Sequence, residues 1–337
     1  MTMPAPEPVT VAIPVLNGGA LLKDVLSAVA RQRVDRPMEV LVADSGSSDG
    51  SREAAERHSA RVIDVPPGEF SHGGTRNLLM QRAAGAHVAF LTQDAVPAGD
   101  DWLASLLEGF ALDPEVALAY GPYLPRPDAS PMVARELTEF FAAMAPGGLP
   151  RVDRGLSAED RRPGPVTFFT DANGCVARWA WERVPFRAVG YAEDQLLAAD
   201  MLAAGMAKAY IPSAGVVHSH DYPPLARFRR FFDEFRGLRE VYGHVEEMGP
   251  RYTPARVRRS VAADRAFVAA RGVRGRELND ATLESLRFHV LRAAGAALGS
   301  RADRLPPALR RWCSLEGRAG FQPVEGTGDR GAAARAA

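Results

Sequence analysis

Two short polar segments follow apolar runs in the first part of the chain, and each contains a carboxylate that could bind a cation or a polar ligand. Asp44 and Ser45 end one run, and Gln93 and Asp94 end another. Carboxylate and amide oxygens are ligands that Mg²⁺ and Mn²⁺ accept in proteins. Each aspartate taken alone also fits a turn or a helix cap. Two such segments in one half of the predicted sheet favour a ligand site.

Glu193 and Asp194 are adjacent acids at the predicted start of a helix. The functional interpretation is general base catalysis, in which a carboxylate takes the proton of an attacking hydroxyl. The structural interpretation is that acids at a helix N-terminus interact favourably with the helix dipole. The residue types alone leave both interpretations open.

His218 and His220 lie two positions apart after an apolar run. In an extended segment, residues i and i+2 point to the same side, so both imidazoles could approach one site. Imidazole nitrogen is a common ligand of transition metals. A metal-binding role and a structural role are both compatible with this spacing.

Arg76 follows two glycines, Gly73 and Gly74, that open a predicted helix. Free backbone N–H groups at a helix start attract anions, and a nearby arginine adds positive charge. The segment therefore fits an anion site. The alternative is a glycine-rich helix entry followed by a solvated arginine.

The segments that position these residues alternate between strands and helices. Apolar runs at 9–15, 39–43, 61–65 and 87–91 predict strands, and the stretches between them have helical spacing or a helix cap. Such alternation indicates an α/β fold with a parallel, doubly wound sheet, on which ligands bind beyond the carboxyl ends of the strands. The polar residues of the first half of the chain lie at those ends.

The rest of the chain is less regular and then becomes helical. A strand is predicted over 168–176, whereas 147–165 is rich in glycine, proline and charge and predicts a loop. The last residues lack periodicity and have the composition of a disordered tail. The predicted organisation is an α/β domain over 1–224, a helical extension over 225–316 and a disordered tail over 317–337.

Composition excludes several classes of protein. The 337 residues include 41 basic and 41 acidic side chains, and a net charge of zero argues against binding nucleic acid through bulk charge. Two cysteines cannot form a disulfide scaffold, which favours a reducing compartment. No apolar run reaches the ~18 residues of a membrane span, and no signal peptide is recognisable. The first strand is not followed by Gly-x-Gly-x-x-Gly, which disfavours a dinucleotide-binding Rossmann domain.

The order of the polar motifs over residues 9–243 resembles that of the family-2 inverting glycosyltransferases of the GT-A fold, and most closely that of the bacterial rhamnosyltransferases. The motifs are Ile13-Pro14-Val15-Leu16-Asn17, Asp44-Ser45-Gly46-Ser47-Ser48-Asp49-Gly50-Ser51, Phe70-Ser71-His72-Gly73-Gly74-Thr75-Arg76-Asn77, Phe90-Leu91-Thr92-Gln93-Asp94-Ala95, Ala192-Glu193-Asp194-Gln195 and His218-Ser219-His220. Each motif is short, and their common order and spacing make the resemblance specific. It implies a GT-A catalytic domain over 1–224.

The resemblance implies a role for each candidate residue. A divalent cation, Mg²⁺ or Mn²⁺, is expected at Asp94, with His218 or His220 completing its ligands. Asp194 resembles the catalytic base, and Glu193 orients the acceptor or the base. The residues expected to bind the nucleotide are Pro14, Asn17, Asp44, Ser45, Arg76 and Gln93. Gln93 replaces the first acid of the Asp-x-Asp-like motif of the family, which leaves fewer carboxylates for the metal.

The implied activity is the transfer of a sugar, with inversion of configuration, from a nucleotide sugar to a hydroxyl of a glycan or a lipid-linked saccharide. The implied role is in bacterial polysaccharide biosynthesis. The resemblance favours dTDP-rhamnose as the donor. One alternative is a sugar-phosphate nucleotidyltransferase, which should have a Gly-rich loop with a basic residue after the first strand, and none is present. The other is a nucleotide-sugar-binding protein without turnover, which the retention of both Asp94 and Asp194 disfavours.

Residues 225–242 interleave aromatic residues with arginines. This pattern fits a helix that packs its phenylalanines on the catalytic domain, and it also fits an interfacial helix on an anionic bilayer. The second interpretation would suit an acceptor anchored by a lipid diphosphate. We expect a cytoplasmic protein, since the chain shows no membrane span and no signal peptide. We further expect peripheral contact with the inner face of the membrane through 225–242.

Overall fold

The computed structural model describes residues 7–66, 68–157 and 161–324, which form two compact units. The first unit contains the residues up to 126 together with 137–188 and 193–219, and the second contains 127–136, 189–192 and 220 onward. A single boundary between 224 and 225 does not describe this division, because two earlier segments belong to the second unit.

The strands and helices follow one another in an order close to the predicted one. In chain order the strands are β1 (Val9–Val15), β2 (Met38–Asp44), β3 (Arg61–Asp64), β4 (His87–Leu91), β5 (Val96–Pro97), β6 (Val116–Tyr120), β7 (Tyr123–Leu124), β8 (Arg151–Arg154), β9 (Asn173–Ala177), β10 (Ala207–Tyr210) and β11 (Val216–Val217). The helices are α1 (Gly19–Ala30), α2 (Ser51–Arg57), α3 (His72–Arg82), α4 (Trp102–Glu108), α5 (Pro131–Met144), α6 (Arg178–Arg183), α7 (Glu193–Ala203), α8 (Pro224–Tyr242), α9 (Tyr252–Ala270), α10 (Gly275–Gly299) and α11 (Pro307–Cys313).

The first unit is built on a mixed sheet of eight strands in the order β3-β2-β1-β4-β9-β6-β10-β8. Strands β3, β2, β1 and β4 are parallel neighbours, and α1, α2 and α3 connect them. Residues 9–13 of β1, which alternate between the two faces of the sheet, are all fully buried, as expected for a central strand covered on both faces. This half of the sheet confirms the predicted α/β class.

The other half of the sheet differs from the prediction in direction and in extent. Strand β9 runs antiparallel to both β4 and β6, and it begins at Asn173 and not at residue 168. The predicted loop 147–165 contains β8, which pairs antiparallel with β10. An ion pair of 3.0 Å between Asp153 of β8 and the fully buried Lys208 of β10 stabilises this edge. A four-residue strand held by such a long-range contact leaves little periodic signal in the sequence.

The second unit is helical, as predicted. Helix α10 packs against α8 and α9. A Cβ at Gly299 would lie 2.3 Å from the backbone oxygen of Phe232, so only glycine permits this close approach of α10 to α8. The described residues contain no helix with both the length and the apolar content needed to cross a bilayer.

Part of the predicted disordered tail is held against α8. The backbone N–H of Gln322 donates to Oε1 of Glu240 at 3.2 Å, and Arg236 donates from Nη1 to the backbone oxygen of Arg318 at 3.1 Å. These charged side chains of α8 fix residues that have no periodicity of their own. The remainder of the predicted tail, 325–337, lies outside the described residues.

Candidate active site

Side-chain hydrogen bonds join the loops that follow β1 and β2. Asn17 has a left-handed backbone with φ of 52°, and its Oδ1 accepts a hydrogen bond from the backbone N–H of Ser48 at 2.9 Å. The backbone N–H of Asn17 donates to Oγ of Ser47 at 2.9 Å. Asp44, the last residue of β2, is 5% exposed, and its Oδ1 accepts from the backbone N–H (3.1 Å) and the hydroxyl (2.5 Å) of Ser47. These bonds fix the Asp44 carboxylate at the end of its strand.

Gln93 ties the end of β4 to the end of β1. Its Oε1 accepts from the backbone N–H of Leu16 at 2.9 Å, and its Nε2 donates to the backbone oxygen of Leu16 at 3.2 Å. Pro14 pairs with β2, and the backbone N–H of Ser45 donates to the oxygen of Val15 at 2.9 Å. The ends of β1, β2 and β4 therefore gather five of the six predicted nucleotide-binding residues at one edge of the sheet.

Asp94 and His218 lie side by side in the first unit. Oδ1 of Asp94 is 3.5 Å from Nε2 of His218, and their side chains are 14% and 13% exposed. The His218 ring packs edge-on against Tyr123, with ring centroids 4.8 Å apart. Asp94, His218 and His220 each offer one ligand atom, and these atoms lie within 4.8 Å of one another. One carboxylate oxygen and two imidazole nitrogens fit Mn²⁺ better than Mg²⁺, which prefers oxygen ligands alone.

Arg126 belongs to no sequence motif, yet it joins the segments that contain Asp94 and His218. Its Nη2 donates to the backbone oxygen of Asp94 at 2.6 Å, and its Nε donates to the backbone oxygen of Ser219 at 3.2 Å. The guanidinium therefore fixes the spacing of the two segments and adds a positive charge beside the carboxylate. A lone arginine after a two-residue strand gives no signal by which sequence patterns could find it.

Arg76, the sixth residue predicted to bind the nucleotide, is buried among carboxylates. It is 3% exposed, its Nε forms an ion pair with Asp171, and its Nη1 lies 3.2 Å from Oε1 of Glu193. Nη1 also donates to the backbone oxygen of His72 at 3.0 Å. The alternative interpretation, a solvated arginine, is therefore wrong, because Arg76 is buried in an ion pair.

The glycines before Arg76 allow close packing at the start of α3. A Cβ at Gly73 would lie 2.4 Å from the backbone oxygen of Arg187, and one at Gly74 would lie 2.4 Å from Oγ of Ser71. Ser71 is the N-cap of α3 and accepts a hydrogen bond from the N–H of Gly74 at 3.2 Å. One N–H group that could have bound an anion is therefore occupied by the cap.

The acids around Arg76 have perturbed pKa values. Burial raises the pKa of Asp171 to about 7, with Arg76 opposing the rise and Glu193 adding to it. Burial, followed by the charges of Asp171 and Glu193, raises the pKa of Asp194 well above its usual range. The pKa of Arg76 is raised even though burial lowers it, because the three carboxylates outweigh burial. A carboxylate of raised pKa is a stronger proton acceptor, as general base catalysis requires.

The backbone that leads into the acid pair is unusual. Ala192, directly before Glu193, has a φ of 59°, a left-handed conformation that a residue with a Cβ seldom adopts. Backbone of this kind costs about 1–3 kcal/mol and is concentrated at functional sites. The start of α7 therefore has a backbone conformation that lowers the stability of the fold, as is common at functional sites.

Comparison with known proteins identifies the family. The family model described as Glycosyl transferase family 2 matches residues 10–153. The O-antigen chain rhamnosyltransferase RfbN of Salmonella typhimurium is 31% identical over 230 residues, which cover 67% of this chain and 70% of that protein. The O-antigen chain rhamnosyltransferase WbaN of Salmonella anatum is 31% identical over 232 residues, which cover 66% and 70% of the two chains.

Solved structures share the fold. The mannosyltransferase PcManGT of Pyrobaculum calidifontis, in complex with GDP-Man and Mn²⁺, has a TM-score of 0.56 and 17% identity, covering 89% of this chain and 90% of that one. The glucosyl-3-phosphoglycerate synthase of Mycobacterium tuberculosis, in complex with phosphoglyceric acid, has a TM-score of 0.50 and 18% identity, covering 72% and 82%. At these identities the likeness establishes the fold. Together with the family match, it shows that this chain belongs to glycosyltransferase family 2 and is a glycosyltransferase of the GT-A fold.

Proposed function

We propose that this enzyme transfers rhamnose from dTDP-rhamnose to a hydroxyl of a growing glycan or a lipid-linked saccharide, with inversion at the anomeric carbon. The main support is the similarity to two O-antigen chain rhamnosyltransferases over 70% of the length of each. The buried acid cluster around Asp194 supports the chemistry, since it provides a carboxylate of raised basicity.

Donor binding is proposed at the joined ends of β1, β2 and β4. The carboxylate of Asp44 can accept a hydrogen bond from the imide N–H of thymine or uracil, while the segment from Pro14 to Asn17 and Ser45 borders the nucleoside. Gln93 keeps this border in place through its bonds to Leu16. Asp94, His218 and His220 are the proposed ligands of a divalent cation, which when bound supplies positive charge to the diphosphate leaving group.

The proposed chemical step needs one base and no enzyme nucleophile. Asp194 takes the proton of the acceptor hydroxyl as its oxygen forms a bond to the anomeric carbon. The bond between that carbon and the diphosphate oxygen breaks, and the nucleoside diphosphate leaves with the bonding electrons. Glu193, paired with Arg76, orients the base. Because Arg76 is buried among acids, a role in this cluster suits it better than direct contact with the nucleotide.

The test is product analysis with a panel of dTDP-rhamnose, GDP-mannose and UDP-glucose, with Mn²⁺ and Mg²⁺ compared. We expect release of nucleoside diphosphate to be fastest with dTDP-rhamnose, and the anomeric configuration of the product, read by NMR, to be opposite to that of the donor. Faster release from another donor would reject rhamnose, and retention of configuration would reject the single displacement. Pyrophosphate release would indicate the nucleotidyltransferase, and tight binding without turnover would indicate the binding protein.

We also propose peripheral membrane contact, but through α9 and α10. The aromatic and basic side chains of α8 are largely buried within the second unit: Phe228 is 8%, Phe232 0% and Arg236 4% exposed. By contrast, α10 exposes Leu286 and Val290 at 43% and 49%.

Leu286 and Val290 line an apolar groove of about 540 Å³ together with residues of α9. Arg258, Arg259 and Arg265 of α9 are exposed, whereas its acid, Asp264, is buried, so this helix presents positive charge beside the apolar groove. Of these arginines, Arg258 lines the groove itself. An apolar strip next to a helix with exposed arginines fits an anionic bilayer.

Vesicle flotation tests this surface. Binding is expected to phosphatidylglycerol vesicles and to be weak on phosphatidylcholine vesicles. Leu286→Glu should abolish it, whereas Leu112→Glu, at a residue 45% exposed in the first unit, should not. Equal flotation of both variants would contradict the assignment.

A further inference from the structure

Asp171 lies shortly before β9 and belongs to none of the motifs described above. Its side chain is 7% exposed and forms an ion pair with Nε of Arg76. The same guanidinium reaches Glu193 through Nη1 at 3.2 Å. One buried arginine therefore links the segment before β9 to the first residue of α7.

The charges around Arg76 do not balance when every acid is ionised. The carboxylates of Asp171, Glu193 and Asp194 act on this one guanidinium. Helix α3 contributes one further titratable group, His72, whose Nδ1 is 3.9 Å from Oε1 of Glu193. Burying several carboxylates against one cation is costly unless a proton is held among them. The cluster is therefore built to retain a proton near neutral pH.

We infer that Asp171 is a positioning residue for the proposed transfer reaction: through Arg76 and Glu193 it determines how readily Asp194 takes the proton of the acceptor. The inference rests on the proposed function, because that function makes Asp194 the base. Asp171 acts on Asp194 through its charge and through the placement of Arg76, which pairs with both Asp171 and Glu193.

The electrostatic effects on Asp194 have opposite signs. After burial, the charge of Asp171 is the next largest cause that raises the pKa of Asp194, and the charge of Arg76 lowers it. Neutralising Asp171 removes the first charge and leaves the second in place. Asp194 should then be ionised at lower pH and be a weaker base. Because the two acids interact, their protons leave in steps that belong to the pair.

The variant Asp171→Asn tests this, since it keeps the size of the side chain and removes its charge. The measurement is kcat as a function of pH at saturating donor and acceptor. We expect the acid limb of the profile to move about 1 pH unit lower, in line with the effect of a nearby charge on a carboxyl. The plateau should fall a few-fold because the base is weaker.

Asp153→Asn is the matched control, because Asp153 is also a buried acid in an ion pair, with Lys208 at 3.0 Å. Its acid limb should coincide with that of the wild type, whatever its Tm. Asp171→Glu, which retains the charge, should restore the acid limb. A wild-type acid limb in Asp171→Asn would overturn the inference, since a residue that only supports folding lowers activity equally at every pH.

An NMR titration of aspartates labelled with ¹³C at the carboxyl group tests the coupling without turnover. In the wild type we expect carboxyls that titrate well above the ordinary value of ~3.9. In Asp171→Asn one of these should be lost and another should move to lower pH. The absence of any such carboxyl in the wild type would overturn the inference even if the variant did not fold. If the titration behaves as expected but no donor turns over, the proposed function alone is rejected.

Discussion

Asp94 and Asp194 are the two aspartates on which the proposed reaction depends, and the groups that surround them differ in kind and in charge. Asp94 follows a buried parallel strand and has an imidazole, His218, 3.5 Å away and an arginine bound to its backbone. Asp194 lies among acids, with one guanidinium shared between them. An imidazole neighbour suits a carboxylate that shares a metal ion, whereas negative neighbours and burial suit a carboxylate that must accept a proton.

The largest expected effect concerns the base. Asp194→Asn keeps the size of the side chain and removes proton acceptance, so kcat should fall by about 10²–10⁴-fold, the usual contribution of a general base. Donor affinity, measured by calorimetry, should stay at its wild-type value. Glu193→Gln should cost less, because Glu193 orients its neighbour. A larger loss for Glu193→Gln would give Glu193 the role of base.

The next effect concerns the cation at Asp94. Asp94→Asn removes the one carboxylate of the three proposed ligands, and metal-stimulated turnover should fall by about 10²–10³-fold, as when a charge-stabilising group is lost. Electron paramagnetic resonance of free Mn²⁺ should show weaker metal binding. His218→Ala should raise the Mn²⁺ concentration needed for half activity. Asp35→Asn, at a side chain 81% exposed, is the control, and equal metal affinity in Asp94→Asn and in this control would refute the assignment.

A smaller effect is expected at the nucleotide. Asp44→Ala removes a charged hydrogen-bond acceptor, which should weaken the binding of dTDP by about 1–3 kcal/mol with little change in kcat. Asp64→Ala offers a matched control, since Asp64 ends the neighbouring strand β3 but is 76% exposed. Calorimetry in which both variants bind dTDP equally well would remove Asp44 from the nucleotide site.

The smallest effect is a pH dependence of stability. The pKa of Asp171 is raised from 3.8 to about 7, so the unfolded chain loses this proton at lower pH than the folded one. The stability contributed by the retained proton is present below about pH 4 and is lost as the pH rises through about 7. Denaturant titrations should therefore show a steeper fall in unfolding free energy between these pH values for the wild type than for Asp171→Asn. Parallel curves would contradict the raised pKa.

The two sites also differ in how far sequence patterns could predict them. Sequence patterns predict the strands at 9–15 and 87–91 with the bounds that the structure shows, because buried parallel strands are continuous apolar runs that end in polar residues. The placement of Asp44 and Gln93 at one edge follows from the parallel strands that lead to them, β2 and β4. The direction of β9 could not be predicted, since a strand buried on both faces has the same composition in either direction.

The acid cluster could be predicted only in part. Glu193 and Asp194 were recognisable from their motif, and their role as base remains a prediction. Sequence patterns do not reveal Asp171 and Arg126, because each acts through contacts with residues that are distant along the chain, such as the contact of Arg126 with Ser219. Burial of Arg76 was also unpredictable, since its pattern at the start of α3 is that of an exposed helix position.

The two hydrogen bonds of Gln93 to Leu16 amount to one additional rung of the sheet, made by a side chain beyond the point where the backbones of β1 and β4 separate. Only an amide can replace a peptide group in this way, because it both donates and accepts. An aspartate or glutamate at position 93 would offer a carboxylate to the proposed metal ion, but it would lose the N–H donor and loosen the junction between the ends of β1 and β4. If the nucleotide binds here as proposed, Gln93 gives a preorganised rim in place of a metal ligand, which lowers the entropy that the loops after β1 and β4 must lose when the nucleotide binds.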